Sequence, residues 1–137
     1  MAIPGSLDAR RFLRVAKQRL DDAKFLLGYR NTASIYLAGY AVECTLKALL
    51  LSVTPTSKIS KILESFRGER GHNFEWLKAQ YIKHGGAVFP GVISRKFARV
   101  NSWKTDIRYD PGTSTLSDAE EFFQASEEIL RWANERL

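Results

Sequence analysis

The sequence predicts an all-α fold, an up-and-down bundle of four to five helices, with short extra helices between the second and third long ones. Three observations predict it. Apolar residues recur at three- and four-residue steps in several long windows, and no window alternates every second residue as a half-buried strand would. Residues 33–51 are apolar on every side, which marks a helix with neighbours over most of its surface. A chain of 137 residues is one domain in length, so residues 1–137 are read as a single bundle.

Residues 1–5 form a loose end, and Ser6 after Pro4-Gly5 is a candidate cap for a first helix from about Leu7 to Tyr29. Its core stripe is Phe12, Ala16, Leu20, Ala23 and Leu27. Gly28 closes it or sits in its last turn, and Asn31 caps the next helix; the connection is short, so the first two helices are expected to be antiparallel neighbours. The central helix carries two charges, Glu43 and Lys47, spaced i,i+4 on the stripe that holds Tyr36, Tyr40 and Leu50. Thr54-Pro55 breaks the pattern. A short helix over 56–66 follows, with Ile59, Ile62, Leu63 and Phe66, then a charged turn from Gly68 to Gly71. Asn73 caps a second short helix carrying Phe74, Leu77 and Tyr81. Beyond Gly85-Gly86 and Pro90-Gly91, Val92, Phe97 and Val100 make a weaker helix ending near Trp103. Asp110-Pro111-Gly112 is a turn. The last helix begins at a capping box, Ser117 with Glu120, and presents Ala119, Phe122, Ser126, Ile129 and Ala133 to the core.

Composition excludes several classes. A single cysteine, Cys44, permits no internal disulfide and no multi-cysteine metal site. His72, His84 and Cys44 share no ligand spacing, so no metal and no cofactor are expected. The nine glycines match neither phosphate-loop pattern. The amino terminus lacks a signal-peptide pattern. The apolar run at 35–51 is interrupted by Glu43 and Lys47 and is short for a membrane span. The expectation is a cytoplasmic protein that does not enter a membrane. Net charge is +6, divided as +11 over residues 1–108 and −5 over 109–137. That asymmetry suits a nucleic-acid partner, and equally a basic face shielded by an acidic last helix.

Three groups of residues are candidates for function. Glu43 and Lys47 are either an ion pair that locks the bundle or a carboxylate lining a ligand cleft. The segment Trp103-Lys104-Thr105-Asp106-Ile107-Arg108-Tyr109-Asp110 combines a guanidinium for oxygen contacts with rings for stacking. Alternatively, Arg108 reaches Glu43 while Trp103 and Tyr109 seal the bundle end. His72, before the second short helix, is read as structural, its ring bonding to backbone at the helix start.

Taken together, Ala-Gly-Tyr-Ala-Val-Glu-Cys-Thr-Leu-Lys-Ala-Leu-Leu (38–50), Gly71-His72 and Ile107-Arg108-Tyr109-Asp110 resemble the HEPN domain family, named for higher eukaryotes and prokaryotes nucleotide-binding. The resemblance spans nearly the whole chain. It implies a helical bundle, commonly a homodimer, whose helix-two acidic residue and arginine face a shared cleft. Many such domains are metal-independent endoribonucleases with an Arg-x(4–6)-His motif, and others pair with a minimal nucleotidyltransferase in toxin–antitoxin systems. Glu43, Lys47 and Arg108 match. The histidine does not: Thr113, Ser114 and Thr115 stand where it should be. A phenol titrates near pH 10 and a carboxyl near pH 4, so Tyr109 and Asp110 are no simple substitutes. The expectation is therefore a HEPN-like module that binds a nucleotide, RNA or a partner protein through Glu43, Lys47, Trp103, Arg108, Tyr109 and Asp110, and lacks ribonuclease activity. The alternatives are an endoribonuclease toxin using Arg108 and a purely structural helical dimer.

Overall fold

A computed structural model describes residues 6–107 and 114–137, and every regular element in them is helical. Four long helices make the bundle: α1 (Ser6–Leu26), α2 (Asn31–Ser52), α5 (Gly91–Ile107) and α6 (Leu116–Asn134). Between α2 and α5 lie α3 (Ile59–Ser65) and α4 (Phe74–Lys83), each preceded by a 3₁₀ turn, Thr56–Lys58 and Glu69–His72 respectively.

The all-round apolar pattern of α2 has the consequence expected of it. From Ala41 through Leu51 every residue is buried, and α1, α6, α4 and α5 all pack on this helix. By length and composition α2 is apolar enough to cross a membrane, yet 83% of its most apolar window is covered by the protein's own helices. Its buried hydroxyls are satisfied locally or by α1: Ser34 Oγ donates to the Ala23 carbonyl at 2.6 Å, and Thr45 Oγ1 to the Ala41 carbonyl at 2.8 Å. The facing stripe of α1 is Ala9, Leu13, Ala16, Leu20 and Ala23, with Phe12 partly buried beside it. Small residues on α1 let the two backbones approach closely. Gly28, at φ +89°, supplies the left-handed turn that reverses the chain between them.

On α6, Ala119, Phe122, Ser126, Ile129 and Ala133 are all buried, as their spacing requires. A second layer of rings closes the far end. Phe89 packs edge-on against Trp132 at 4.8 Å and against Phe97 at 5.7 Å, and the Lys78 ammonium lies 4.8 Å from the Phe97 ring centre.

Several boundaries differ from expectation. The helix over 56–66 is a 3₁₀ turn, entered from Pro55, followed by seven α-helical residues. The turn before Asn73 is itself helical, whereas Asn73 caps α4 as read, accepting from the Trp76 amide at 2.9 Å. The α5 helix continues one turn beyond Trp103. Asn31 is the first residue of α2, not its cap: its Oδ1 accepts from the Gly28 amide at 2.9 Å and its Nδ2 donates to the Ser114 carbonyl at 3.3 Å. The cap of α6 is Thr115, whose hydroxyl accepts from the Asp118 amide at 3.1 Å, so Ser117 lies inside the helix. Replacing Thr115 with alanine is expected to lower stability in urea unfolding by about 1 kcal/mol, and replacing Ser117 by less than about 0.5 kcal/mol.

Candidate functional site

Midway along α2, the carboxylate of Glu43 is buried at 6% side-chain exposure and cannot remain there uncompensated. Lys47, one turn later, places its ammonium 3.0 Å from Glu43 Oε2 and is itself only 9% exposed. The same ammonium lies 5.1 Å from the centre of the Phe66 ring, which Phe12 meets edge-on at 5.6 Å. Lys47 thus has an anion on one side and an aromatic face on the other, the surroundings that let a lysine be buried while charged.

A third group joins the cluster, one that the sequence reading assigned to the start of α4. His72 does not turn to the start of α4. Its Nδ1 lies 3.2 Å from Glu43 Oε1 and 3.3 Å from Oε2, across 29 residues of sequence. An ionised carboxylate only accepts, so the contact assigns the proton to Nδ1 and puts Nε2 on the far edge of a half-exposed ring. The preceding residue explains how the turn comes this close. A Cβ on Gly71 would overlap the Phe66 carbonyl and Cα, so only glycine lets the 3₁₀ turn press against the end of α3. The local signal was the pair Gly71-His72. What sequence could not supply was the partner, because Glu43 meets it only after α2, α3 and the turn have docked.

One turn before Glu43, Tyr40 is 46% exposed, as is Tyr36 a further turn back. His72, seated on the Glu43 carboxylate one turn further along the same stripe, adds a third partly exposed ring. Cys44 lies beneath. Burial first, and then the charge of Glu43, push its thiol up to about 11. The Tyr40 phenol is likewise raised, first by the charge an ionised Cys44 would carry and then by burial.

Of the other sequence candidates, Trp103 is half-buried near α6, its ring 6.1 Å from Phe122 with the Arg99 guanidinium 5.4 Å from its centre. Arg108, Tyr109 and Asp110 lie outside the described residues, as does the turn after them. Two of the three positions at which a ribonuclease histidine was expected are described, and both serve as structural ties. Ser114 bonds to Thr32 through its amide at 3.2 Å and through its hydroxyl at 3.3 Å, and Thr115 is the α6 cap. Among the described residues no group of three or more His, Cys, Asp or Glu side chains could hold a metal ion.

Since thiolate is the reactive form, Cys44 should resist iodoacetamide in the folded protein at pH 8 and react at the rate of a free thiol in urea. Its folded pKa exceeds its unfolded one, so its stabilising contribution is present below pH 9 and declines as pH rises toward 11. Urea unfolding midpoints measured across pH 8–11, compared with Cys44→Ala, check the sign.

Comparison with curated proteins and with solved structures returns no match. The family model of the HEPN domain matches residues 9–137, from the first turns of α1 to the last residue. Nearly the entire chain is covered, and its helical bundle agrees with that match: this protein belongs to the HEPN domain family.

Proposed function

We propose that this HEPN domain binds a nucleotide or single-stranded RNA and holds it without cleaving it. The observation that carries the proposal is the row Tyr36, Tyr40 and His72, three partly exposed rings seated along a buried, internally neutralised Glu43–Lys47 pair. Rings about one helical turn apart suit stacking of successive bases, which is how unpaired RNA is held without dependence on sequence. The excess of positive charge over residues 1–108 favours the phosphates. Lys47 contributes indirectly in this reading, holding the Glu43 carboxylate in place while His72 faces the ligand. The absence of histidine at positions 113–115, two of which are committed to structural hydrogen bonds, supports binding without hydrolysis.

A second reading has its own observation. The Glu43 carboxylate orients Nδ1 of His72 as an acid–base imidazole is oriented, which favours a metal-independent endoribonuclease with its histidine drawn from another segment.

The test is titration of the protein with a fluorescent 12-nucleotide single-stranded RNA over a salt series. Saturable binding is expected, weakening steeply with salt and by roughly tenfold in Tyr40→Ala, in keeping with about 1–3 kcal/mol per stacked base. The RNA should remain intact. No saturable binding at low salt overturns the proposal. Cleavage that survives a chelator and disappears in His72→Ala replaces it with the nuclease reading.

A further inference from the structure

The α5–α6 interface holds a groove to which neither the Glu43 cluster nor the tyrosine row contributes. Its volume is about 380 Å³ and its walls are Val92, Arg95, Lys96, Arg99, Glu121 and Ala125. Three of those six are cations and one is a carboxylate, so the groove is electropositive even though α6 is acidic as a whole. Its volume is that of a small-ligand site.

The cations are not equally engaged. Arg99 pairs with Glu121, and Lys96 approaches Glu128 at 3.8 Å. Both pairs are substantially exposed, and exposed pairs of this kind contribute little, so a better anion can displace either carboxylate. Arg95 makes no ion pair among the described residues. It stands one turn before Arg99 on the same face, and like charges at that spacing repel. A guanidinium pair one turn apart, with a lysine between them in sequence, offers convergent donors for a tetrahedral oxyanion. The remainder of the groove is apolar. Val92, 53% exposed, and Ala125 form a wall against which a ribose or base can lie. Beyond Arg99, the half-buried Trp103 adds an aromatic face, with the guanidinium already over it.

We propose that this groove is a second site, one that takes a phosphate group of a nucleotide or of an RNA backbone between Arg95 and Arg99, with Lys96 at its edge. Phosphate is preferred to a carboxylate because its tetrahedral oxygens can accept from both guanidiniums at once, where the planar Glu121 carboxylate engages Arg99 alone. Val92 and Ala125 account for an attached sugar or base rather than free inorganic phosphate. The choice of ligand class rests on the proposed nucleotide or RNA binding. The location does not, since α5 and α6 supply every wall.

The test follows the arginine Nε–Hε resonances in 15N-labelled protein, assigned with Arg95→Lys and Arg99→Lys, during separate titrations with ATP and with the 12-nucleotide RNA. Saturable shifts of the Arg95 and Arg99 signals are expected. Arg95→Glu should weaken the responding probe at least tenfold while leaving the thermal midpoint near that of the wild type, since Arg95 is exposed. Response to ATP alone identifies a mononucleotide phosphate, and response to RNA alone a backbone phosphate; either supports the site. Immobility of both arginine signals under both probes overturns the groove proposal. If RNA then binds and His72→Ala abolishes it, the tyrosine-row reading stands without the groove. If ATP moves Arg95 and Arg99 but RNA binds nowhere, the groove stands without RNA binding.

Discussion

A carboxylate in the middle of a helix buried on all sides has to be neutralised where it stands, and much of this structure follows from how Glu43 meets that demand. Lys47 is available because it sits one turn away on the same element, but a lysine has its own desolvation cost. The Phe66 ring offsets part of it, which requires the end of α3 to lie against α2. His72 then closes the open side of the carboxylate, which requires the Glu69–His72 turn to press in through Gly71. The short elements between α2 and α5 are thus tied to one acid as well as to the core through Phe66, Phe74, Leu77 and Tyr81.

Lys47 is only 9% exposed, and the Glu-x-x-x-Lys spacing on α2 forms an ion pair inside the bundle. What reaches the surface is the imidazole above it and the phenols beside it. Beneath Tyr40, burial favours the neutral form of the Cys44 thiol. At the α5–α6 join, cations of α5 meet carboxylates of α6, so the shielding of a basic face by an acidic last helix is realised there in part. It leaves Arg95 over.

Much of the fold was legible because the relevant signals are local. The all-round apolar pattern of α2, the three- and four-residue steps of α1 and α6, and the asparagine before α4 each describe one element and its own surroundings. Caps were harder where two candidates stood close together. Ser117 with Glu120 satisfies the capping pattern, but Thr115 takes the role because Ser114 is tied to Thr32 and Asn31, which sets where the chain turns into α6. The partner of His72 was the larger miss. The ring's environment depends on a residue 29 positions away, and no periodicity encodes that. Beside the local pair Gly71-His72, the clue was a requirement and not a pattern: a buried carboxylate has more than one oxygen to satisfy, and Lys47 engages Oε2.

The central claim is that Glu43 and Lys47 form a coupled pair that the core tolerates only together. A double-mutant cycle with Glu43→Leu and Lys47→Met, read by urea unfolding, tests it most directly. Glu43→Leu should cost about 3–5 kcal/mol by leaving the buried Lys47 ammonium without its carboxylate, Lys47→Met should cost less because His72 still faces Glu43, and the double replacement should restore stability to near that of the wild type. Single effects below about 1 kcal/mol that simply add in the double variant would contradict it.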